Sequence, residues 1–163
     1  MLTLQRANEA FRYDPDTGFL TWRSTLNSRS PAGTPAGSRS NRGYQRIKVD
    51  GERYQAHRVA WLIYYGVWPS GQIDHIDNNR INNAISNLRE CNTAQNQHNQ
   101  PLRRANRSGA KGVSWCRAKA RWHVQVRAAG KIHQGGYFDS LDQAALAATT
   151  LRNQLHGEFA KHA

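Results

Sequence analysis

The sequence predicts an α+β protein made of two small domains, each combining short antiparallel strands with helix. Three observations carry this prediction. Short apolar runs with period-2 alternation are separated by turn signals, as in hairpins. A basic, polar stretch interrupts the chain at residues 101–108. An alanine-rich helical pattern closes the chain after a second group of short strands. We therefore place the domains at residues 1–100 and 109–160, with 101–108 as a basic linker.

Composition limits the class of protein. Only 38% of the 163 residues are hydrophobic, so the core is modest and split. The net charge of +12 favours a polyanionic partner, with nucleic acid the commonest; a cationic surface kept for solubility is the alternative. The two cysteines lack CxxC spacing, which argues against a zinc knuckle or a disulfide framework. No apolar run of about 18 residues and no signal-peptide core is present, so we expect a cytoplasmic protein without a membrane partner.

The first elements follow from local chemistry. Residues 2–10 have an apolar face at helical spacing, and Thr3 is a candidate N-cap. Residues 11–13 and 19–22 are aromatic-rich strands around an Asp-Pro-Asp-Thr-Gly turn, in which Gly18 suits a left-handed conformation. Residues 26–43 are rich in Ser, Gly, Pro and Arg and predict a loop.

A second hairpin is predicted at residues 44–49 and 52–56, around Asp50-Gly51. Because successive side chains of a strand point to opposite faces, one face of this hairpin is predicted to pack on the core. The other face carries the polar side chains Tyr44, Arg46 and Lys48. That polar face can lie along nucleic acid or simply face solvent. A helix follows at 57–65 and ends at Gly66; we interpret His57, at its start, as structural rather than catalytic.

The central segment reads as strand, asparagine-rich loop, strand and helix. A strand at 71–76 ends in Asp74-His75, a second strand covers 88–91, and a helix runs from Thr93 to about Gln100, before Pro101. This is a ββα unit of about thirty residues, with Asn96 in the first turn of its helix. An asparagine-rich loop that only makes turns is the plain alternative.

Phosphodiester cleavage needs a cation at the phosphate and a base for water, and this segment offers both. The carboxylate of Asp74 and the amide oxygen of Asn96 are hard ligands of the kind Mg²⁺ takes, whereas zinc is disfavoured without thiolates. His75 suits the general base. Its second ring nitrogen would be fixed by a backbone carbonyl or by Asn87. An EF-hand calcium loop is excluded, because its Gly and Glu positions hold Asn79 and Ile85.

The text DHIDNNRINNAISNL followed by TAQNQHN resembles the HNH endonucleases, which occur in phages as free-standing or intron-encoded enzymes. The resemblance extends upstream through YDPDTGFLTW, GYQRIKVDG and AHRVAWLIYYGVWP, and so covers about residues 1–100. It implies Asp74 and Asn96 as ligands of Mg²⁺ or Mn²⁺, His75 as general base and Asn87 as its orienting residue. Many family members have histidine at the place of Asn96, and His98 is a second candidate.

The C-terminal domain is predicted as three strands, at 112–116, 121–126 and 131–138, packed on one helix. Ser140 and Gln143 form a capping box at the start of the helix, and Gly157 ends it. Alternation turns a polar row of the middle strand outward: Arg121, His123, Gln125 and Arg127. Such a face fits the major groove of DNA, although a solvated sheet face is the alternative.

This domain resembles the ethylene-response-factor (APETALA-type) DNA-binding domain in its Lys-Gly-Val start, its tryptophan strand, its Gly-Tyr-Phe-Asp turn and its alanine-rich helix, over about residues 109–159. The resemblance implies that Lys111, Trp115, Arg117, Arg121, Gln125 and Arg127 lie toward DNA. From charge and position we add the basic or polar side chains Arg46, Lys48, Arg103, Arg104, Lys119 and His123.

The sequence thus predicts a metal-dependent endonuclease that hydrolyses phosphodiester bonds in double-stranded DNA, site-specific and of the homing type, without a small-molecule cofactor. A monomer that nicks one strand is favoured over a dimer that cuts both. The main alternative is a non-catalytic, sequence-specific DNA-binding regulator. A protein that binds or cleaves RNA is a second, but it lacks the aromatic ribonucleoprotein signature.

Overall fold

The computed structural model describes residues 1–28, 30–100, 102 and 105–161, except for the side chain of His98. The predicted DNA contacts Arg103 and Arg104 lie outside the described residues. So does the side chain of His98, the second candidate for the place of Asn96. The chain divides into two compact units, Met1–Asn92 and Thr93–Ala163. Within the described ranges, no helix is both long and apolar enough to cross a membrane.

The first unit opens with helix α1 (Leu4–Ala10) and a hairpin of strands β1 (Phe11–Tyr13) and β2 (Leu20–Trp22). The predicted cap is confirmed, since the Thr3 hydroxyl accepts a hydrogen bond from the Arg6 amide at 3.2 Å. The helix therefore begins two residues later than predicted, because Thr3 itself is the cap. In the hairpin turn Gly18 has φ of 75°, the left-handed conformation that its sequence context predicts.

A three-stranded antiparallel sheet follows, in the order β3 (Ser38–Arg39), β4 (Gln45–Val49) and β5 (Glu52–Gln55). Alternation along β4 is as predicted: Ile47 and Val49 are buried, whereas Arg46 and Lys48 are exposed. The prediction of an uninterrupted loop at 26–43 is wrong at β3. Two residues are too few to show a strand period, and β3 exists only because it pairs with β4.

Helix α2 (Ala56–Tyr65) ends as predicted at Gly66, which has φ of 78°. Strands β6 (Gln72–His75) and β7 (Leu88–Cys91) then form an antiparallel pair, and a single 3₁₀ turn at Ile85–Asn87 leads into β7. The core of this unit is one continuous apolar cluster, which α1, α2 and the three sheets all enter: Phe11, Leu20, Ile47, Val59, Leu62, Ile73 and Leu88 are among its members.

The second unit begins with the short helix α3 (Thr93–His98) and has an antiparallel sheet of β8 (Val113–Cys116), β9 (Arg121–Ala128) and β10 (Lys131–Phe138), with β9 in the middle. Helix α4 (Leu141–His156) packs on the sheet, and the Ser140 hydroxyl accepts a hydrogen bond from the Asp142 amide at its start. The small side chains Ala144 and Ala148 are fully buried against Val124, so the helix lies close to β9.

Candidate active site

Asp74 and His75 close strand β6, where the chain leaves the sheet for the asparagine-rich loop. Their partners across the strand pair are Arg89 for Asp74 and Leu88 for His75. Both side chains are buried, with 6% of Asp74 and 4% of His75 exposed. Ionisable groups this deep need partners, because desolvation disfavours their charged forms. The surrounding contacts therefore decide their chemistry.

Asp74 is paired with Arg89. The Nε and Nη2 atoms of Arg89 lie 3.0 Å and 2.9 Å from Oδ2 of Asp74, so both donors meet the same oxygen. The two residues face each other across the strand pair, and therefore the backbone register itself aligns this ion pair. The guanidinium lies in fixed geometry beside the carboxylate and compensates its burial.

The Nε2 atom of His75 lies 3.1 Å from Oδ1 of Asn83. Asn83 is only 1% exposed, and its Nδ2 donates to Oε1 of Gln45 at 3.2 Å. The Nε2 atom of Gln45 donates in turn to the carbonyl oxygen of Ala36 at 2.7 Å. Burial lowers the pKa of His75, while the Asn83 hydrogen bond and the carboxylates of Asp77 and Asp74 act in the opposite direction. The sequence assigned no role in the site to Asn83 or Gln45.

Asn87, the predicted orienting residue of His75, has its side chain in the loop. Its Oδ1 accepts from the Asp77 amide at 3.0 Å, and its Nδ2 donates to Oδ1 of Asp77 at 2.9 Å and to the Asn82 carbonyl at 2.8 Å. Partial burial raises the pKa of Asp77, but the hydrogen bonds from Asn82, Asn79 and Asn87 outweigh it and keep that pKa below its usual range. Asn87 thus builds the loop that carries Asn83. A direct action of Asn87 on His75 stays a prediction.

Two further rings pack around His75. The ring centroid of His57 lies 5.0 Å away in an edge-on arrangement, and that of Tyr44 lies 6.0 Å away. Tyr44 also contacts His57 at 5.5 Å and has the Arg80 guanidinium over its face at 4.9 Å. Burial, with smaller effects from His75 and Arg58, lowers the pKa of His57 to about 3. His57 is therefore neutral at physiological pH. The interpretation of His57 as structural rather than catalytic stays a prediction, and its contact with His75 is a finding of the structure.

The predicted metal ligands belong to different units: Asp74 ends β6 in the first, and Asn96 lies in α3 of the second. Among the described residues, no cluster of three or more His, Cys, Asp or Glu side chains could hold a metal ion. A carboxylate with a carboxamide oxygen nonetheless fits Mg²⁺ in donor chemistry, because this ion takes one or two protein oxygens and fills its shell with water and phosphate oxygens.

The outer face of the β3–β5 sheet is basic. Lys48 lies directly opposite Arg53 in the register of β4 and β5, and Arg46 lies opposite Gln55. Like charges in facing positions destabilise a strand pair. A groove beside this face is lined by these three cations and Arg42, together with serine and asparagine side chains. We call the face formed by Arg42, Arg46, Lys48 and Arg53 the basic sheet face.

The outer face of the β8–β10 sheet carries the polar row predicted for β9. Gln125 and Arg127 are exposed, and Oε1 of Gln134 on β10 lies 2.8 Å from Nε2 of His123 and 3.2 Å from Nε2 of Gln125. His123 also stacks on Tyr137 with a centroid distance of 4.4 Å. This face is therefore held in one arrangement by contacts between side chains.

The other residues predicted to lie toward DNA in the second unit fall into three groups. Arg117 and Trp115 are exposed, as is Lys119, whose ammonium lies 3.8 Å from the ring centroid of Tyr137. Arg121 is exposed but forms an ion pair with Asp139 at 2.8 Å. Lys111 is half-buried, and its Nζ donates to the Gln100 carbonyl. Burial, with the charges of Arg152 and Lys161, lowers the pKa of Lys111 to about 8.

Comparison with known proteins places these features in a class. A family model described as HNH endonuclease matches residues 54–98, which include α2, β6, the asparagine-rich loop, β7 and α3. Protein 3.8 of Escherichia phage T7 is 39% identical over 106 residues, which cover 64% of this chain and 87% of that protein. An uncharacterized HNH endonuclease, L560, of Acanthamoeba polyphaga mimivirus is 34% identical over 116 residues, which cover 70% of this chain and 59% of the relative.

Among solved structures, one described as DNA binding and cleavage by the HNH homing endonuclease I-HmuI aligns with a TM-score of 0.44 and 24% identity, over 61% of this chain and 56% of that one. The buried Asp74-His75 pair at the end of β6 lies within the segment that the HNH endonuclease family model matches. The chain is therefore a relative of Protein 3.8 of Escherichia phage T7, and its residues 54–98 match the HNH endonuclease family model.

Proposed function

We propose that this protein is a metal-dependent endonuclease of the homing type, which hydrolyses phosphodiester bonds in double-stranded DNA. The observation that carries the proposal is the position of His75: a buried histidine at the end of β6, hydrogen-bonded through Nε2 and adjacent to a carboxylate. A general base needs a fixed ring and an orienting partner for its second nitrogen, and both features are present.

In the proposed reaction a water oxygen attacks phosphorus, His75 takes the proton of that water, and the ester bond between phosphorus and one sugar oxygen breaks. Asp74 and Asn96 would hold Mg²⁺ or Mn²⁺, which when bound supplies charge stabilisation to the phosphate and the leaving oxygen. Arg89 keeps the Asp74 carboxylate in place. Asn87 maintains the loop between β6 and β7 and, through it, the orientation of His75.

Two surfaces would bind the DNA. The basic sheet face of the first unit has four cations, and the negative charge of a phosphate would relieve the repulsion between the facing residues Lys48 and Arg53. In the second unit, the ethylene-response-factor-like sheet offers Gln125 and Arg127, side chains that pair with base edges in the major groove. We propose that the first surface contributes affinity and the second contributes site preference.

The decisive experiment compares wild type with His75→Ala on supercoiled plasmids that carry a library of DNA fragments, in Mg²⁺ or Mn²⁺. We expect wild type to produce nicked circles before linear DNA, and His75→Ala to bind with unchanged affinity but not to cleave. His133→Ala, in β10 of the second unit, is the matched control and should cleave normally. Full cleavage by His75→Ala would overturn the assignment of the base. Tight, specific binding by a wild type that cleaves nothing would instead identify a regulator.

The electrostatic part of the proposal is tested by salt. If about six to ten phosphates are neutralised, affinity for duplex DNA should fall about 10³–10⁵-fold between 50 and 200 mM salt. Replacing Lys48 and Arg53 together should reduce the slope of log affinity against log salt by about two, because each phosphate contact contributes about 0.9. A change in affinity without a change in slope would argue against phosphate contacts at this face.

A further inference from the structure

We propose that Gln45 and Asn83 form a relay of two amides that fixes the His75 ring as its Nε2–H tautomer and thereby leaves Nδ1 as the nitrogen that accepts a proton. Gln45 and Asn83 are then positioning residues for the general base. The consequence for cleavage rests on the proposed function, whereas the tautomer itself does not.

The relay begins at an atom whose role is fixed. The carbonyl oxygen of Ala36 can only accept a hydrogen bond, so the side-chain atom of Gln45 that lies 2.7 Å from it must be the NH₂ group. This contact determines which way the Gln45 amide is turned. Its oxygen, Oε1, must therefore be the atom that faces Asn83.

The second amide follows from the first. Because Oε1 of Gln45 is an acceptor, the atom of Asn83 at 3.2 Å must be Nδ2, and Oδ1 of Asn83 is left to face Nε2 of His75 at 3.1 Å. A carbonyl oxygen cannot donate, so Nε2 must carry the proton. In the neutral ring the lone pair then lies on Nδ1. If Nδ1 carried the proton instead, the lone pair of Nε2 would face a lone pair of Asn83 Oδ1, and both side chains are buried.

Residues that do not belong to the relay hold Asn83 and His75 in place. The hydroxyl of Tyr13 donates to the Asn83 carbonyl at 2.8 Å, and Gly18 in the first hairpin lies against the Asn83 backbone, with no room for a side chain. The ring of His57 packs edge-on against His75. Asn83 can therefore neither withdraw from His75 nor turn its backbone without disturbing the core.

The first test reads the tautomer directly. Ring ¹⁵N shifts of the full-length protein, with His75 assigned by comparison with His75→Ala, should show protonated Nε2 and unprotonated Nδ1 in wild type. Gln45→Leu removes the acceptor for Nδ2 of Asn83, so that the Asn83 amide can turn and the spectrum should shift to a mixture of tautomers. Gln55→Leu is the matched control, because Gln55 lies on the adjacent strand β5 and has no bond in the relay. An Nδ1-protonated ring in wild type would overturn the relay.

The second test reads the rate. Gln45→Leu should lower kcat about 10–100-fold, the usual cost of losing a group that orients a functional side chain, with KM and DNA affinity unchanged. Asn83→Ala removes the acceptor of Nε2 itself and should likewise give a mixture of tautomers with a lowered kcat, which also covers the case in which Gln45→Leu fails to fold. An unchanged tautomer and kcat in Gln45→Leu, or an unchanged tautomer in Asn83→Ala, would refute the relay. A wild type with the expected tautomer but no cleavage would refute only the proposed function.

Discussion

Gly18 links the first hairpin to the loop of the candidate active site, and its replacement by alanine tests that link. Gly18 has φ of 75°, and a Cβ built there would overlap the backbone of Ala84 and lie only 2.8 Å from Cα of Asn83. Gly51, in the turn between β4 and β5, has φ of 83° but nothing within 4 Å of the same position. The two glycines therefore have similar backbone conformations but differ in the room available for a methyl group. Gly51→Ala is the matched control.

The expected magnitudes follow from two separate effects. Placing alanine in the left-handed region costs about 1–2 kcal/mol at either position. Forcing a methyl group into a packed contact costs about 1–3 kcal/mol more, and only Gly18→Ala bears that cost. We therefore expect Gly18→Ala to lower the free energy of unfolding by about 2–5 kcal/mol, against about 1–2 kcal/mol for Gly51→Ala.

Urea unfolding of the full-length variants measures the loss, and hydrogen exchange in β1 and β6 assigns it to the first unit. Gly18→Ala should also slow DNA cleavage, because the backbone of Asn83 must shift to admit the methyl group and carries the partner of His75 with it. Gly51→Ala should cleave at the wild-type rate. Equal losses of stability in the two variants, or normal cleavage by Gly18→Ala despite a larger loss, would refute the proposed contact between turn and loop.

Three other variants and one chelation experiment test the remaining contacts. Arg89→Met leaves the Asp74 carboxylate buried alone and should cost about 3 kcal/mol in urea unfolding, the lower end for a broken buried pair because 15% of the Arg89 side chain is exposed. His57→Phe should flatten the pH dependence of stability: with a folded-state pKa of about 3 against 6.5 when unfolded, His57 takes up a proton only on unfolding. Wild type should therefore lose about 2 kcal/mol more than the variant between pH 7 and pH 5. Gln134→Leu removes the acceptor shared by His123 and Gln125 and should weaken base discrimination by about 1–3 kcal/mol in selection from random duplexes. Chelation of divalent ions should stop cleavage reversibly and leave the unfolding curve unchanged.

The secondary structure of the first unit could largely be predicted because local chemistry determines it. Asp50-Gly51 has both residues at positive φ, as the turn between β4 and β5 requires, and Gly66 stops α2 in the left-handed conformation. Strand β3 could not be predicted, because a two-residue strand gains its order from β4 rather than from its own sequence. Local signals thus locate turns and caps, whereas tertiary pairing decides the short elements between them.

The candidate site was predictable in its reactive groups but not in their supports. Asp74 and His75 stand out by chemical type at the end of a strand. The loop that follows holds several asparagines, and nothing in its text distinguishes Asn83, which faces His75, from Asn87, which binds Asp77. The two asparagines differ in how deeply they are buried and in where their side chains point. Both properties arise only when β6 and β7 pair and the first hairpin packs against the loop.

The supports of His75 also show why the ββα motif is not self-sufficient in this chain. Its hydrogen-bond partner Asn83 lies within the residues that the family model matches, 54–98, but Gln45 and the Ala36 carbonyl, which orient that partner, lie outside them. Tyr44, which packs against both His57 and His75, also lies outside the matched residues. An isolated ββα segment would keep the reactive groups and lose the orientation of the ring. Under the proposed function, the N-terminal hairpin and the three-stranded sheet therefore orient the general base as much as the motif does.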